Sequence, residues 1–365
     1  MLIHHFYPRT QNIGDHFVQR GISAMIRRLV PDATFQLFDV NSRGRDKSAY
    51  GLTQSAIERA NDEADLVIVG GSNLYEGGFG WPWGVHLDPA ALTQLRVPLF
   101  LLGIGTGSRF ASALHKPSTR AKREITLLNE LATLSGARDV ATLDWLKELG
   151  VTKAKLMGDP ATFVFNRPLQ DKNSGHVLVV MAPSRIASSK RQPWKAHTRG
   201  GAVFRALAGI TRQLLQHGQK VIVVCNDPND LPLAQQFFAG WLPNGVICPQ
   251  APEEYFQLLS ESRAVISGRL HTAVVAFSLG IPFLLIDVDG RTNGFVKTYQ
   301  LERWAVNASD PGIAERLSDQ ASRLLRGDEY ANWQSLIERR NQMESVAISL
   351  LHEALDSIQK KARHV

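Results

Sequence analysis

Short apolar runs alternate with longer amphipathic stretches along nearly the whole chain, and this rhythm limits the fold more than any other feature of the sequence. A strand that is apolar on both sides has to be covered on both faces, which a parallel sheet wrapped by helices achieves. In the first half the spacing predicts strands at Leu2–Tyr7, Phe35–Val40, Asp65–Gly70 and Pro98–Gly103, with a shorter one at Ser135–Arg138. Apolar residues at helical period predict helices over Asp15–Leu29, Gln54–Asn61, Thr119–Leu134 and Ala141–Leu149, the last closed by Gly150.

A polar segment from Asn166 to Gly175 interrupts the pattern and reads as a linker. Beyond it, strands at His176–Met181, Lys220–Cys225, Gly245–Ile247, Ala264–Ser267 and Phe283–Ile286 alternate with helices at Ala202–Gln216, Leu231–Phe238, Glu253–Ser260 and Leu270–Leu279. From Pro311 the chain reads helical. With 365 residues it exceeds the ~250–300 at which a single core stops growing. The expected fold is therefore α/β: two doubly wound, Rossmann-like domains facing a cleft, residues 1–168 and 169–310, then a C-terminal helical segment, 311–365. In such sheets ligands bind outside the carboxyl ends of the strands, so the residues just after each strand are the candidates for function.

Composition narrows the partners. A hydrophobic content of 44% with 21% charged residues is that of a globular chain and excludes a disordered one. Forty-one Lys and Arg against 34 Asp and Glu leave a net charge of +7, which suits an anionic small substrate, an anionic membrane surface or nucleic acid. No nucleic-acid motif is present and aromatics do not interleave with the basic residues, so nucleic acid is not an expected partner. Cys225 and Cys248 are too few for a disulfide scaffold or a zinc cage, and Cys225, ending the run Val221-Ile-Val-Val224, reads as a buried thiol. Met1-Leu-Ile-His-His5 lacks the basic flank and the ~7–15-residue apolar core of an export signal. No apolar run reaches the ~18–20 residues that cross a bilayer, so a soluble, cytoplasmic protein is expected. The Arg339-Arg340 pair and the Lys360-Lys361-Ala-Arg363-His364 cluster read as solvated helix faces. The basic tail is also compatible with reversible, peripheral docking on the inner face of an anionic membrane. Nothing in the sequence signals an oligomeric state.

Seven turns are candidates for chemistry. Asn12-Ile-Gly14-Asp15 follows the first strand and opens the first helix, where glycine permits a tight turn and first-turn N–H groups are unpaired; a turn plus a cap accounts for the same residues. Gly70-Gly71-Ser72-Asn73 and Gly103-Ile-Gly105-Thr-Gly107 each follow a strong strand, and their glycines let backbone approach a ligand closely. The second is not the dinucleotide fingerprint, because its third glycine comes one residue early. Ser135-Gly-Ala-Arg138-Asp139 puts an arginine at a strand end beside an N-cap aspartate, and an Arg–Asp pair joining strand to helix is the structural alternative. Gly158-Asp159-Pro160-Ala161 reads as a turn, as does Asp287-Val-Asp289, in preference to a metal-holding aspartate pair. The sharpest motif is Ile266-Ser-Gly-Arg-Leu-His-Thr272. It sets Arg269 and His271 on the first turn of a helix at a strand's carboxyl end, where the dipole and unpaired N–H groups favour an anion. Arginine brings a planar fork for carboxylate or phosphate, and histidine a proton that moves near neutral pH.

Taken in order, Asn12-x-Gly14-Asp15, Asp65-Leu-Val-Ile-Val-Gly-Gly71, Leu102-Gly-Ile-Gly105, Ala137-Arg-Asp139, Asp159-Pro160, Ser267-x-Arg-Leu-His271 and Leu279-Gly-Ile-Pro-Phe283 resemble the polysaccharide pyruvyl transferase family over residues 1–290. The chain departs from the family in having Ser72 where a third glycine is usual, and in lacking a proline near Gly105-x-Gly107. The resemblance implies a fold similar to the two-domain GT-B glycosyltransferases. It also implies transfer of the pyruvyl group of phosphoenolpyruvate onto two hydroxyls of a glycan or lipid-linked oligosaccharide, giving a cyclic ketal. His271, Arg269 and Arg138 then match the family's functional residues, the two arginines as anchors for the donor's phosphate and carboxylate and His271 as acid and base. The remaining candidates, expected to line the substrate site, are Asn12, Gly14, Asp15, Gly70, Gly71, Ser72, Asn73, Gly103, Gly105 and Ser267. Phosphoenolpyruvate is a substrate in this scheme, and no metal or further cofactor is expected. Two other readings use the same scaffold: a GT-B sugar-nucleotide glycosyltransferase holding a diphosphate with its basic residues, and a non-catalytic sugar- or anion-binding protein. The joint presence of Arg138, Arg269 and His271 stands against the last.

Overall fold

The computed structural model describes residues 1–9, 13–40, 50–76, 83–107, 116–170, 175–181, 199–225, 228–238, 240–242, 245–326 and 329–362. They form two compact units: one holds the described residues up to Val164 together with those from Arg340 onward, the other Phe165–Arg339. Among the described residues no helix is long and apolar enough to cross a membrane.

The first unit contains β1 (Leu2–Tyr7), α1 (Ile13–Leu29), β2 (Thr34–Asp39), α2 (Gln54–Glu63), β3 (Leu66–Gly70), α3 (Pro89–Leu92), β4 (Leu99–Ile104), α4 (Thr119–Leu131), β5 (Leu134–Ala137), α5 (Val140–Glu148) and β6 (Lys155–Leu156). Its sheet is parallel in the order β2-β1-β3-β4-β5-β6. Strands β3 and β4 are buried along their whole length, which is why both read as unbroken apolar runs. Phe6, Val67, Val69, Leu101 and Ile104 pack with Ile57, Ile125, Leu128 and Trp145 in one core. The strand order reverses between β1 and β3, so the turns after Tyr7 and Gly70 border this unit's switch point.

The second unit contains β7 (His176–Met181), α6 (Arg199–Gln216), β8 (Val221–Cys225), α7 (Leu231–Phe238), β9 (Val246–Ile247), α8 (Pro252–Ser260), β10 (Ser262–Ser267), α9 (Leu270–Ser278), β11 (Phe283–Asp287), α10 (Gly290–Tyr299), β12 (Ala305–Asn307) and α11 (Ile313–Arg326). The last helix, α12 (Tyr330–Ala362), begins here, and its residues from Arg340 group with the first unit. The sheet is parallel, ordered β12-β11-β10-β7-β8-β9, and reverses between β7 and β10. The turn after β10 therefore lies at this unit's switch point.

Several elements differ from expectation for local reasons. Helix α4 ends at Leu131, not Leu134: the apolar period runs on because Ala132 and Leu134 are buried, but Ala132 is already extended and Leu134 opens β5. Helix α10 is new. The sequence reads as a turn at Asp287-Val-Asp289 with no element directly after it, yet an Asp289–Thr292 capping box starts this helix and burial of Phe295, Val296 and Tyr299 holds it. The segment read as a linker is not loose at its start. Phe165, Arg167 and Gln170 hydrogen-bond to Ser278 and Gly280, so this strap belongs with the second unit; residues 171–174 lie outside the described residues. Arg340 is fully buried and donates to Asn341, so the solvated-face reading fails for it. Cys225 is buried, as its apolar run implies.

Burial has a consequence for acid stability. His5, on β1, is fully buried beside Gly70, and desolvation pushes its imidazole down to about 3. Between that value and the ordinary 6.5 the unfolded chain binds a proton at His5 that the folded chain does not, so stability falls as pH drops through that window. Burial shifts His4 the same way. The melting temperature of a His5→Leu variant is expected to fall less than that of the wild type between pH 7 and pH 5. Equal losses would assign the acid sensitivity to other groups.

Candidate functional site

At the carboxyl edge of the first sheet, three turns are tied together by one buried arginine. Asp139 caps α5, its Oδ1 accepting from Thr142 N at 2.8 Å and Thr142 Oγ1 at 2.7 Å. Its Oδ2 accepts from Arg138 Nε at 3.0 Å. The Arg138 side chain is only 3% exposed and lies flat on Gly105, where an added Cβ would sit 2.2 Å from the guanidinium carbon. Arg138 also donates from one terminal nitrogen to Asn73 Oδ1 at 3.3 Å. Asn73 Nδ2 in turn donates to Glu76 Oε2 at 2.6 Å and to the Gly107 carbonyl at 3.0 Å. Gly105 N bonds the Ser72 carbonyl at 2.9 Å, which locks the turn after β3 to the turn after β4.

The backbone there is unusual. Gly71, Ser72 and Gly103 have φ of 83°, 60° and 61°. For Ser72, which carries a Cβ, this left-handed conformation costs roughly 1–2 kcal/mol. Gly103 has no alternative, since a Cβ would lie 2.3 Å from Pro160 Cδ.

Asp159, wholly buried, accepts from Ala161 N at 3.0 Å and starts the short turn Pro160–Phe163. Burial raises its pKa; the Arg138 charge opposes that, and the Asp139 and Asp15 charges add to it. Asp15 sits in the first turn of α1 beside buried Gly14. The Asp159 carboxyl group thus interacts with the Arg138 guanidinium and with the carboxyl groups of Asp139 and Asp15, and all four residues are buried.

The second unit builds a different edge. Fully buried Ser267 ends β10; its hydroxyl accepts from Arg269 N and donates to Arg269 O, both at 2.9 Å, which fixes the Gly268-Arg269 turn. Ser267 therefore shapes the turn. Arg269 is the N-cap residue of α9, and its guanidinium donates to Asp230 Oδ2 at 2.6 Å. Asp230 is fully buried and Arg269 is 10% exposed, so the plane of the fork is set from beneath. His271 lies on the first helical turn, and it is the one residue of α9 that is only partly buried. Thr272 beside it is anchored by Tyr255 through a 2.6 Å hydroxyl–hydroxyl bond.

The structure thus gathers Gly14, Asp15, Gly70, Gly71, Ser72, Asn73, Gly103, Gly105 and Arg138 at the edge of the first sheet, and Ser267, Arg269 and His271 at that of the second. Asn12 lies outside the described residues. Asp289 caps α10 and pairs with Arg291, while Asp287 accepts from Thr292 and Asn293, which is the turn expected of that pair. Among the described residues no group of three or more His, Cys, Asp or Glu side chains is placed to hold a metal ion. Asp230 and Glu76 escaped the sequence reading. Asp230, immediately before a helix and one turn beyond a strand end, had a legible position; Glu76 had no signal but its nearness to Asn73.

A family model described as polysaccharide pyruvyl transferase matches residues 12–290. No curated protein sequence matches the chain. Among solved structures, the UDP-GlcNAc 2-epimerase of Neisseria meningitidis bound to UDP-GlcNAc is similar with a TM-score of 0.55 at 14% identity, over 98% of this chain and 100% of that one. The UDP-GlcNAc 2-epimerase of Methanocaldococcus jannaschii gives 0.55 at 12% identity over 89% and 93%, and S. aureus MnaA with UDP 0.54 at 12% over 92% and 91%. At these identities the likeness is one of fold, the GT-B-like class of two Rossmann-like units in a single chain.

The Asp230–Arg269 pair is nearly dry, so removing one partner leaves a charge uncompensated. Asp230→Ala is expected to lower stability by about 3–5 kcal/mol in urea titration. A loss below ~1 kcal/mol, the range of an exposed pair, would show the contact to be incidental.

Proposed function

Because the chain belongs to the polysaccharide pyruvyl transferase family, we propose that it moves the pyruvyl group of phosphoenolpyruvate onto two hydroxyls of a sugar, in a polysaccharide or its lipid-linked precursor, forming a cyclic ketal. The observation that carries this reading is the turn after β10, where Arg269, oriented by buried Asp230, and partly exposed His271 share the start of α9.

Phosphoenolpyruvate brings a phosphate and a carboxylate. The Arg269 fork takes one of these anions, and the first turn of α9 adds its dipole. His271, as imidazolium, gives its proton to C3 as a sugar hydroxyl oxygen bonds C2; the C2=C3 π electrons form the new C–H bond. The second hydroxyl oxygen then bonds C2 while the C2–O bond to phosphate breaks. One hydroxyl proton restores His271 and the other leaves on inorganic phosphate, so atoms and charge balance. On this reading the protein works in the cytoplasm, at the membrane face when its acceptor is lipid-linked.

Phosphoenolpyruvate at ~100 times its dissociation constant is expected to stabilise the protein by ~2.7 kcal/mol in thermal melts, and UDP-GlcNAc not at all. The reverse result would move the protein to a sugar-nucleotide chemistry. Arg269→Lys should weaken donor binding by about 10-fold or more, since lysine cannot reproduce the two-point contact. His271→Gln should keep its melting temperature and donor affinity but release phosphate ~10²–10⁴-fold more slowly, because the proton moves only in the transition state. Normal turnover by folded His271→Gln would remove His271 from the mechanism.

A further inference from the structure

Arg138 was expected to grip the donor, but its surroundings fit that role poorly. The side chain is 3% exposed, Nε is held by Asp139, one terminal nitrogen is held by Asn73, and the Asp159 carboxyl group lies close enough to interact with the guanidinium. With Nε and one terminal nitrogen already donating to protein groups, little of this buried fork is left to face a phosphate. The guanidinium acts on Asn73 instead. By donating to Asn73 Oδ1, it obliges the amide nitrogen to face the other way, and both hydrogens of Nδ2 are then engaged, by Glu76 Oε2 and the Gly107 carbonyl. The Glu76 carboxylate is thereby fixed on the turn that follows β3, beside the switch point of the first sheet and four residues past the backbone outlier Ser72. It is only half-buried, and so within reach of a ligand.

We infer that Arg138 is a positioning residue, acting through Asn73 to hold the Glu76 carboxylate as hydrogen-bond acceptor for a hydroxyl of a neutral sugar. The sugar as acceptor rests on the function proposed above; the relay Asp139–Arg138–Asn73–Glu76 rests on the contacts alone. A carboxylate binds a hydroxyl through a charge-assisted bond, and a neutral polyol is not repelled by it as a phosphate would be. Within this relay Asn73 cannot be replaced by its isostere. The Asn73→Asp side chain still accepts from Arg138 but has no N–H for Glu76 and repels it.

The test measures two ligands separately. Methyl β-galactopyranoside, methyl β-glucopyranoside and methyl α-mannopyranoside are titrated by saturation-transfer NMR, and phosphoenolpyruvate by calorimetry, on wild type and on Glu76→Gln, Asn73→Asp, Arg138→Lys and Arg269→Lys. Glu76→Gln and Asn73→Asp are expected to weaken the glycoside that binds wild type by about 10-fold, the loss typical of one charged hydrogen bond, and to leave donor affinity within about twofold. Arg138→Lys, where it folds, should follow them; Arg269→Lys should show the opposite pattern. The double variant Asn73→Asp/Glu76→Gln restores a donor–acceptor pair and should recover part of the lost affinity. Wild-type glycoside affinity in Glu76→Gln, no glycoside binding by wild type, or loss of donor affinity in Arg138→Lys equal to that in Arg269→Lys would each overturn the inference. Failure of wild type to bind phosphoenolpyruvate counts against the pyruvyl transfer reading alone, because the glycoside titrations still judge Glu76.

Discussion

All the strands in each sheet run the same way, and this fixes where everything else in the molecule must go. A parallel sheet buried on both faces leaves little room for polar groups along the strands, and β3 and β4 carry none. Each strand's carboxyl end must therefore release its turn at the same edge, where helix starts and unpaired N–H groups collect. Crowding follows from that geometry. At Gly103 and Gly105 the neighbouring turns come so near that Pro160 and Arg138 occupy the space of a side chain.

The two edges differ in charge although they arise from the same architecture. At the first, the Arg138 guanidinium is held by Asp139 and lies near Asp159, and burial rather than pairing dominates the state of Asp159. At the second, Arg269 stands on one buried carboxylate at a helix start, with a histidine one residue further along the same turn than Leu270. A buried guanidinium whose donors are engaged by protein groups orients its neighbours; an arginine held by one buried carboxylate at a helix start is placed to meet an anion.

The solved structures that share this fold are named for UDP-GlcNAc chemistry, whereas the family model names pyruvyl transfer. There is no conflict in this, because a doubly wound scaffold fixes where ligands bind and not which bonds are made. The side chains on the turns decide the chemistry. Here those side chains are Arg269 and His271 after β10, and Arg138 with Asn73 and Glu76 at the other sheet.

By itself the sequence determined the strands other than β6 and β12, and the order of the turns. The apolar runs of β3 and β4, and the glycines and Asp139 that follow strands, are written in local pattern, since periodicity and capping act over a few residues. Local pattern also misled: α4 was drawn three residues too long, α10 was hidden behind its glycines, and Arg340, in a charged-looking helix, is buried. Only the tertiary structure decided which residues meet. Arg138 and Asn73 are 65 positions apart, and Arg269 and Asp230 are 39. Such contacts depend on strand order, and strand order is set by the packing of whole βα units, which no short stretch of sequence encodes.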